Sequence, residues 1–313
     1  METTELNKQV NFLKGYVIAE VPIGFGAMIA PSFRHGLNDA ELEAAIIAFR
    51  KLLANMFDKI IKGDEKLFVK KKNMMTLDLN TIAWVLYRMG EMCELKVSPH
   101  KRLTGKIVEG YHYENKPHFQ RLYQFLAELG FRFTGVDFSK EIPFHEAPSF
   151  NIEHDDEATI VGLKLIAESL DNVKGSIRPL NIILRGDFYP LANSKPMAHT
   201  WYLRDFVRSL SPEISAFLLE MDAYLINNGC KVVGKKNNFT TDVSFEYSAK
   251  KGRSKVGIAK ISISVDECVI MLDDDVYSLD KMLTFDWLKQ RIETKLMATT
   301  GLEVDDGDIT DTD

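Results

Sequence analysis

From Asp242 onward the chain takes a period of two, and that alternation constrains its fold more than any other stretch. Val243, Phe245 and Tyr247 interleave with Ser244, Glu246 and Ser248, the pattern of a strand with one face in a core and one in water. Lys250, Lys251, Gly252, Arg253 and Ser254 form a polar turn. The next strand sets Ile258, Ile261, Ile263 and Val265 against Lys260, Ser262 and Ser264. Asp266 and Glu267 turn the chain again, into a last apolar run at 268–272, which Asp273 to Asp275 stop. A helix precedes this meander. Ser211 caps it, Pro212 opens it, and Phe217, Leu218, Met221, Tyr224 and Leu225 fall on one face. Asn228 and Gly229 end it, being residues that tolerate the left-handed conformation a helix stop requires.

The pattern predicts an α+β protein of two domains, each with helices packed on one face of a mainly antiparallel sheet. The first domain is expected at about 1–190, with helices at about 39–62, 78–93, 117–129 and 155–172. Asn38 with Glu41 has the capping-box spacing at the start of the first of these. Strands are expected at 17–21, 67–71, 95–97, 106–113 and 180–184. The second domain is expected at about 191–300, with a helix at about 212–228, the meander at about 239–275 and a terminal helix at about 283–297. Gly130-Phe131-Arg132-Phe133-Thr134-Gly135 parallels Gly229-Cys230-Lys231-Val232-Val233-Gly234, each after an amphipathic helix. A diverged internal duplication would leave that likeness, and so would the shared physics of helices that end in glycine.

At 313 residues and 45% hydrophobic content the chain can bury a sizeable core. Cys93, Cys230 and Cys268 are too few and too far apart for a disulfide framework or a metal knuckle. They suit a reducing compartment, so a cytoplasmic location is expected. Residues 1–15 carry no signal-peptide pattern, and the apolar run 16–33 is broken by Glu20, Pro22, Gly24, Gly26 and Pro31, so no membrane partner is expected. The formal charge is −6, but Glu303, Asp305, Asp306, Asp308, Asp311 and Asp313 account for all of it. An acidic, disordered tail at 301–313 is therefore expected on a formally neutral body. A neutral body has no bulk attraction for nucleic acid.

Motifs with chemistry are few. Residues 229–235 fit the start of a phosphate-binding loop, yet Lys236 stands where a hydroxyl must hold magnesium, and a helix precedes the glycines where the motif demands a strand. Gly24-Phe25-Gly26 lacks the third glycine of a dinucleotide loop. Asp78 with Glu94 and Lys96 has the residue order of a nuclease core, with a helix expected between. His145, Glu146, Glu153, His154, Asp155, Asp156 and Glu157 form the densest set of metal-ligand types; no cofactor is expected, and a divalent metal held by His145, Glu146, His154 and Asp155 is the alternative. Against that, His154 and Asp155 stand at the start of an expected helix, where anions favour the macrodipole.

Two further sets suggest binding. Tyr111, Tyr113, Trp201 and Tyr202 lie between expected units, where aromatics with polar tips line small-molecule clefts or glue domains together. Lys250, Lys251 and Arg253, with Lys235, Lys236 and Lys255 near in sequence, could hold an anion or nucleic acid, or simply protect a strand end. The function expected is non-catalytic binding of a small molecule or protein. The alternatives are a metal-dependent enzyme at the histidine cluster and nucleic-acid or anion contact through the meander lysines.

Overall fold

The computed structural model of the chain describes residues 10–12, 14–15, 22–62, 79–105, 117–135, 150–175, 182–236, 242–251, 254–264 and 267–272. The expected elements at 17–21, 67–71, 106–113 and 283–297, and the tail at 301–313, lie outside the described residues. The protein is mixed α and β, and its two larger sheets are antiparallel. The chain divides into two compact units, 1–200 with 237–241 and 201–236 with 242–313.

In the first unit, helix α1 (Asp39–Ile61) opens on the expected capping box. The Asn38 side chain accepts from the Glu41 amide, and the Glu41 carboxylate accepts from the Asn38 amide, each at 3.0 Å. Helix α2 (Leu79–Glu91) leads into a hairpin of β1 (Cys93–Lys96) and β2 (Arg102–Gly105). Helix α3 (Pro117–Glu128) leads into β3 (Phe131–Thr134), which pairs with β4 (Phe150–His154). These strands form one antiparallel sheet in the order β1-β2-β4-β3.

Helix α4 (Glu157–Asp171) follows, capped by Asp156, whose carboxylate accepts from the Ala158 amide. Thr159 to Leu163, Leu165 to Ala167, Ser169 and Leu170 are all buried. A helix apolar over most of its surface belongs inside a core, and α4 packs against α1, α2, β2 and β4. Two glycines set how closely it does so. A Cβ on Gly162 would lie 2.4 Å from the Ala45 carbonyl oxygen of α1, and one on Gly90 would lie 2.5 Å from the Leu163 oxygen. Lys164 donates to the Gly90 and Cys93 carbonyls at 3.0 and 2.9 Å, satisfying groups left over where α2 ends.

Beyond α4, β5 (Val173–Lys174) pairs in parallel with β6 (Met197–Ala198). The strand expected at 180–184 is corrected in its described part. Ile182, Ile183 and Leu184 are buried, but they form a tight helical turn. Asp187 N–H donates to the Ile182 carbonyl and Gly186 N–H to that of Ile183, the Schellman pattern, with Gly186 at φ 56°. A short apolar run reads alike in a strand and in a buried helical turn. Gly186 decides it here, because a left-handed residue ends helices.

In the second unit, short 3₁₀ turns (Leu203–Asp205, Val207–Ser209) precede helix α5 (Pro212–Asn227), which Ser211 caps. Cys230 N–H donates to the Leu225 carbonyl and Gly229 N–H to that of Ile226, again the Schellman pattern. The chain then enters β7 (Lys231–Lys236), β8 (Val243–Lys251), β9 (Ser254–Ile263) and β10 (Cys268–Leu272). They form an antiparallel meander in the order β10-β9-β8-β7. Strand β7 extends the expected meander by one strand. The two sheets are threaded differently, since β3 and β4 join an earlier hairpin while β7 and β8 run on into later strands. No helix among the described residues is long and apolar enough to cross a membrane.

The close crossing at Gly162 predicts that Gly162→Ala forces α1 and α4 apart and costs about 2 kcal/mol, the range of an overpacked core. Urea unfolding should show a lower midpoint with an unchanged slope. A midpoint equal to wild type would mean that the crossing is not tight.

Candidate functional site

The register of the second sheet settles which residues share a face, because neighbours across strands lie on the same side. On one side, Val243, Phe245 and Tyr247 of β8 join Ala259, Ile261 and Ile263 of β9, and all are buried. Phe217, Leu218, Met221 and Leu225 of α5 are buried in the same unit, and the Tyr247 hydroxyl donates to Asp222 of α5 at 2.7 Å. Burial and that hydrogen bond push the Tyr247 pKa up, so the phenol stays a donor.

The opposite side is a lysine face. One row across the strands reads Lys235, Ser244, Ser262 and Val269, and the next reads Val233, Glu246, Lys260 and Met271. Lys231 lies opposite Ser248, and Lys250 lies opposite Lys255 beyond a register shift at Tyr247/Ser248. Among the described strand residues this face therefore carries five lysines and one carboxylate. Lys231, Lys235, Lys250 and Lys255 are exposed, as are Val233 and Met271. Glu246 accepts a hydrogen bond from Lys235, which holds its pKa below the usual value against slight burial. The charges of Lys235, Lys260 and Lys255 add to that depression. One carboxylate thus answers several ammonium groups, and Lys250 directly opposite Lys255 is a like-charge pair that costs stability.

The residues singled out from sequence fall as follows. Lys250 is on the lysine face, the Lys251 backbone pairs with Ser254, and Arg253 lies outside the described residues. The chain around 229–236 runs from helix through glycine to strand, the reverse of a phosphate-binding loop. His145 and Glu146 lie outside the described residues. His154 ends β4 with both ring nitrogens bonded, Nε2 to the Leu129 carbonyl at 2.8 Å and Nδ1 accepting from the Asp156 amide at 2.9 Å. Asp155 binds the guanidinium of Arg132. These two residues tie the end of α3 to the start of α4. Tyr111, Tyr113 and Asp78 are also outside the described residues, and Glu94 pairs with Lys96 at 2.7 Å. Trp201 packs edge-on against Phe206, and its backbone closes on Gly234, where an added Cβ would meet the Trp201 oxygen at 2.6 Å. Tyr202 is half exposed, with the Arg204 guanidinium 4.8 Å from its ring centre.

Sequence reasoning missed a buried charged cluster in the first unit. Arg185 is 1% exposed and Asp187 2%. His199 Nε2 meets the Asp187 carboxylate at 2.9 Å. Burial pushes the Asp187 pKa up, but the His199 hydrogen bond, the His199 and Arg185 charges and the Tyr189 amide outweigh it, leaving the carboxyl below its ordinary value. Ser169 of α4 donates to the Asp187 carbonyl at 2.7 Å, and Asn172 donates to the carbonyls of Pro190 and Asn193. The cluster pins the segment 185–199 to α4. Its only trace in the sequence is a pair of opposite charges around Gly186 within an apolar run. A separate apolar cleft among Val85, Met89, Met92, Tyr123, Phe150 and Ile152 has room for about one water molecule.

Asp187 supplies a prediction with a definite sign. Because its folded pKa is depressed, its stabilisation is present above the unfolded value of about 3.9 and is lost as pH falls through the lower folded value. Asp187→Asn should cost about 3 kcal/mol near neutral pH, as expected when one partner of a buried ion pair is removed. Urea midpoints from about pH 6 to about pH 3 should show the gap between wild type and variant constant at first and narrowing below about pH 4. A gap constant throughout would mean that the carboxylate's charge is not what stabilises the fold. Comparison with protein-family models, with curated proteins and with solved structures returned no match for this chain.

Proposed function

We propose that the chain is a non-catalytic interaction module that takes an acidic, extended protein segment on the lysine face of its second sheet. One observation carries the reading: among the described strand residues, five lysines are set against a single carboxylate on one side of a four-stranded sheet. An extended peptide repeats its side chains about every 6.8 Å on one side, the same repeat as residues along these strands. Carboxylates at alternate positions would therefore meet successive rows of lysines. Val233 and Met271, exposed on the same face, offer apolar contact to the residues between.

Nucleic acid fits this face less well. Bases gain affinity by stacking on aromatic rings, and among the described strand residues the lysine face carries serines and aliphatic side chains beside its charges. Carboxylates bound one by one by exposed lysines give modest, salt-sensitive affinity. That is the regime of a reversible docking surface.

Poly-glutamate is the probe for this reading, with an oligo-dT strand as competitor. Poly-glutamate should bind at low ionic strength and weaken as salt is added. The double substitution Lys250→Ser with Lys255→Ser should lower affinity about fivefold, from two exposed ion pairs at roughly 0.5 kcal/mol each. Tighter binding of oligo-dT would point to nucleic acid instead. Binding of neither probe at low salt would remove the proposal.

A further inference from the structure

We infer that the chain's own acidic segment, 303–313, docks in cis on the lysine face and competes there with an outside partner. The inference rests on the reading of that face as a site for acidic peptide. It adds an occupant and a consequence, self-competition.

Charge complementarity selects this segment. Its six carboxylates make up the whole formal excess of the chain, while among the described strand residues the lysine face carries five ammonium groups and one carboxylate. Spacing selects it further. Glu303 and Asp305, Asp306 and Asp308, and Asp311 and Asp313 are each two apart, so an extended conformation puts each pair on one side. Lys231 and Lys235 are separated by twice that step along β7. Val304 and Ile309 stand among the acids as Val233 and Met271 stand among the lysines.

The connection is long enough. From Leu272, at the end of β10, to Glu303 there are roughly 30 residues, a length that reaches at most about 100 Å and so spans the face with room to spare. The longest strand beside the face, β9, has 10 residues and extends about 33 Å. Tethered at that distance, the segment meets the face at an effective concentration on the order of 1 mM. Weak lysine–carboxylate contacts are then populated in cis although a free peptide of the same sequence binds feebly. A partner must displace the segment, so its apparent affinity is lowered by the fraction of faces already occupied.

Two measurements on the full chain test the inference. In the first, a zero-length carbodiimide joins lysines to carboxylates in contact, and peptide mapping locates the links. Links from 303–313 should fall on Lys231, Lys235, Lys250, Lys255 or Lys260 and should vanish in high salt. Mixed isotope-labelled and unlabelled chains should yield links within one chain. Links between chains, or links chiefly to lysines elsewhere, overturn the inference. In the second, the acids are neutralised together as Glu303→Gln, Asp305→Asn, Asp306→Asn, Asp308→Asn, Asp311→Asn and Asp313→Asn. This variant should bind poly-glutamate on the order of fivefold more tightly than wild type. Equal binding by both chains overturns self-competition and leaves the docking reading standing. Cross-links in cis with no poly-glutamate binding by either chain would do the reverse.

Discussion

Strict alternation along β8 and β9 is the constraint on which the second unit depends. Side chains two apart share a face, so Phe245 and Tyr247 enter the core only if Ser244 and Glu246 leave it. Slipping the register by one residue would bury Glu246 and Lys260 and expose Phe245 and Ile261. Burying even one unpaired charge costs several kcal/mol. The core face and the lysine face are therefore products of a single choice. Tyr247, through its hydrogen bond to Asp222, ties that choice to α5.

The first unit solves a different problem. Helix α4 keeps only a narrow polar stripe of Lys164, Glu168 and Asp171, so most of it must be enclosed, and Gly162 and Gly90 let its neighbours come close enough to enclose it. Enclosure leaves backbone and side-chain polar groups to satisfy. Lys164 answers the carbonyls at the end of α2, Ser169 and Asn172 answer those of 187–193, and Asp187 binds His199. These bonds hold an irregular segment against the core where a sheet ladder is not available.

Much of this was legible in the sequence where local chemistry and tertiary structure agree. Asn38 with Glu41, Ser211 with Pro212, and the alternation through Tyr247 each specify an element by a local rule, and each element formed. The run 180–184 misled because apolar content alone does not choose between strand and buried helical turn, and Gly186 tipped the described part to the turn. The lysine face was legible only in part. Lys250, Lys251 and Arg253 stood out as a charge run, but the face is assembled by long-range register. The pairing of β7 with β8 adds Lys231 and Lys235, and the shift after Tyr247 sets Lys255 against Lys250. The Asp187–His199 pair had no local signature, because its members are twelve residues apart on opposite sides of an irregular segment.

The central claim is that the second unit presents its lysine face to acidic peptide. Backbone amide chemical shifts recorded while poly-glutamate is added test it most directly. The account predicts changes concentrated at Lys231, Lys235, Lys250, Lys255 and Lys260, reversed by salt, with the amides of α4 unmoved. Changes centred on the first unit, or none at low ionic strength, would contradict it.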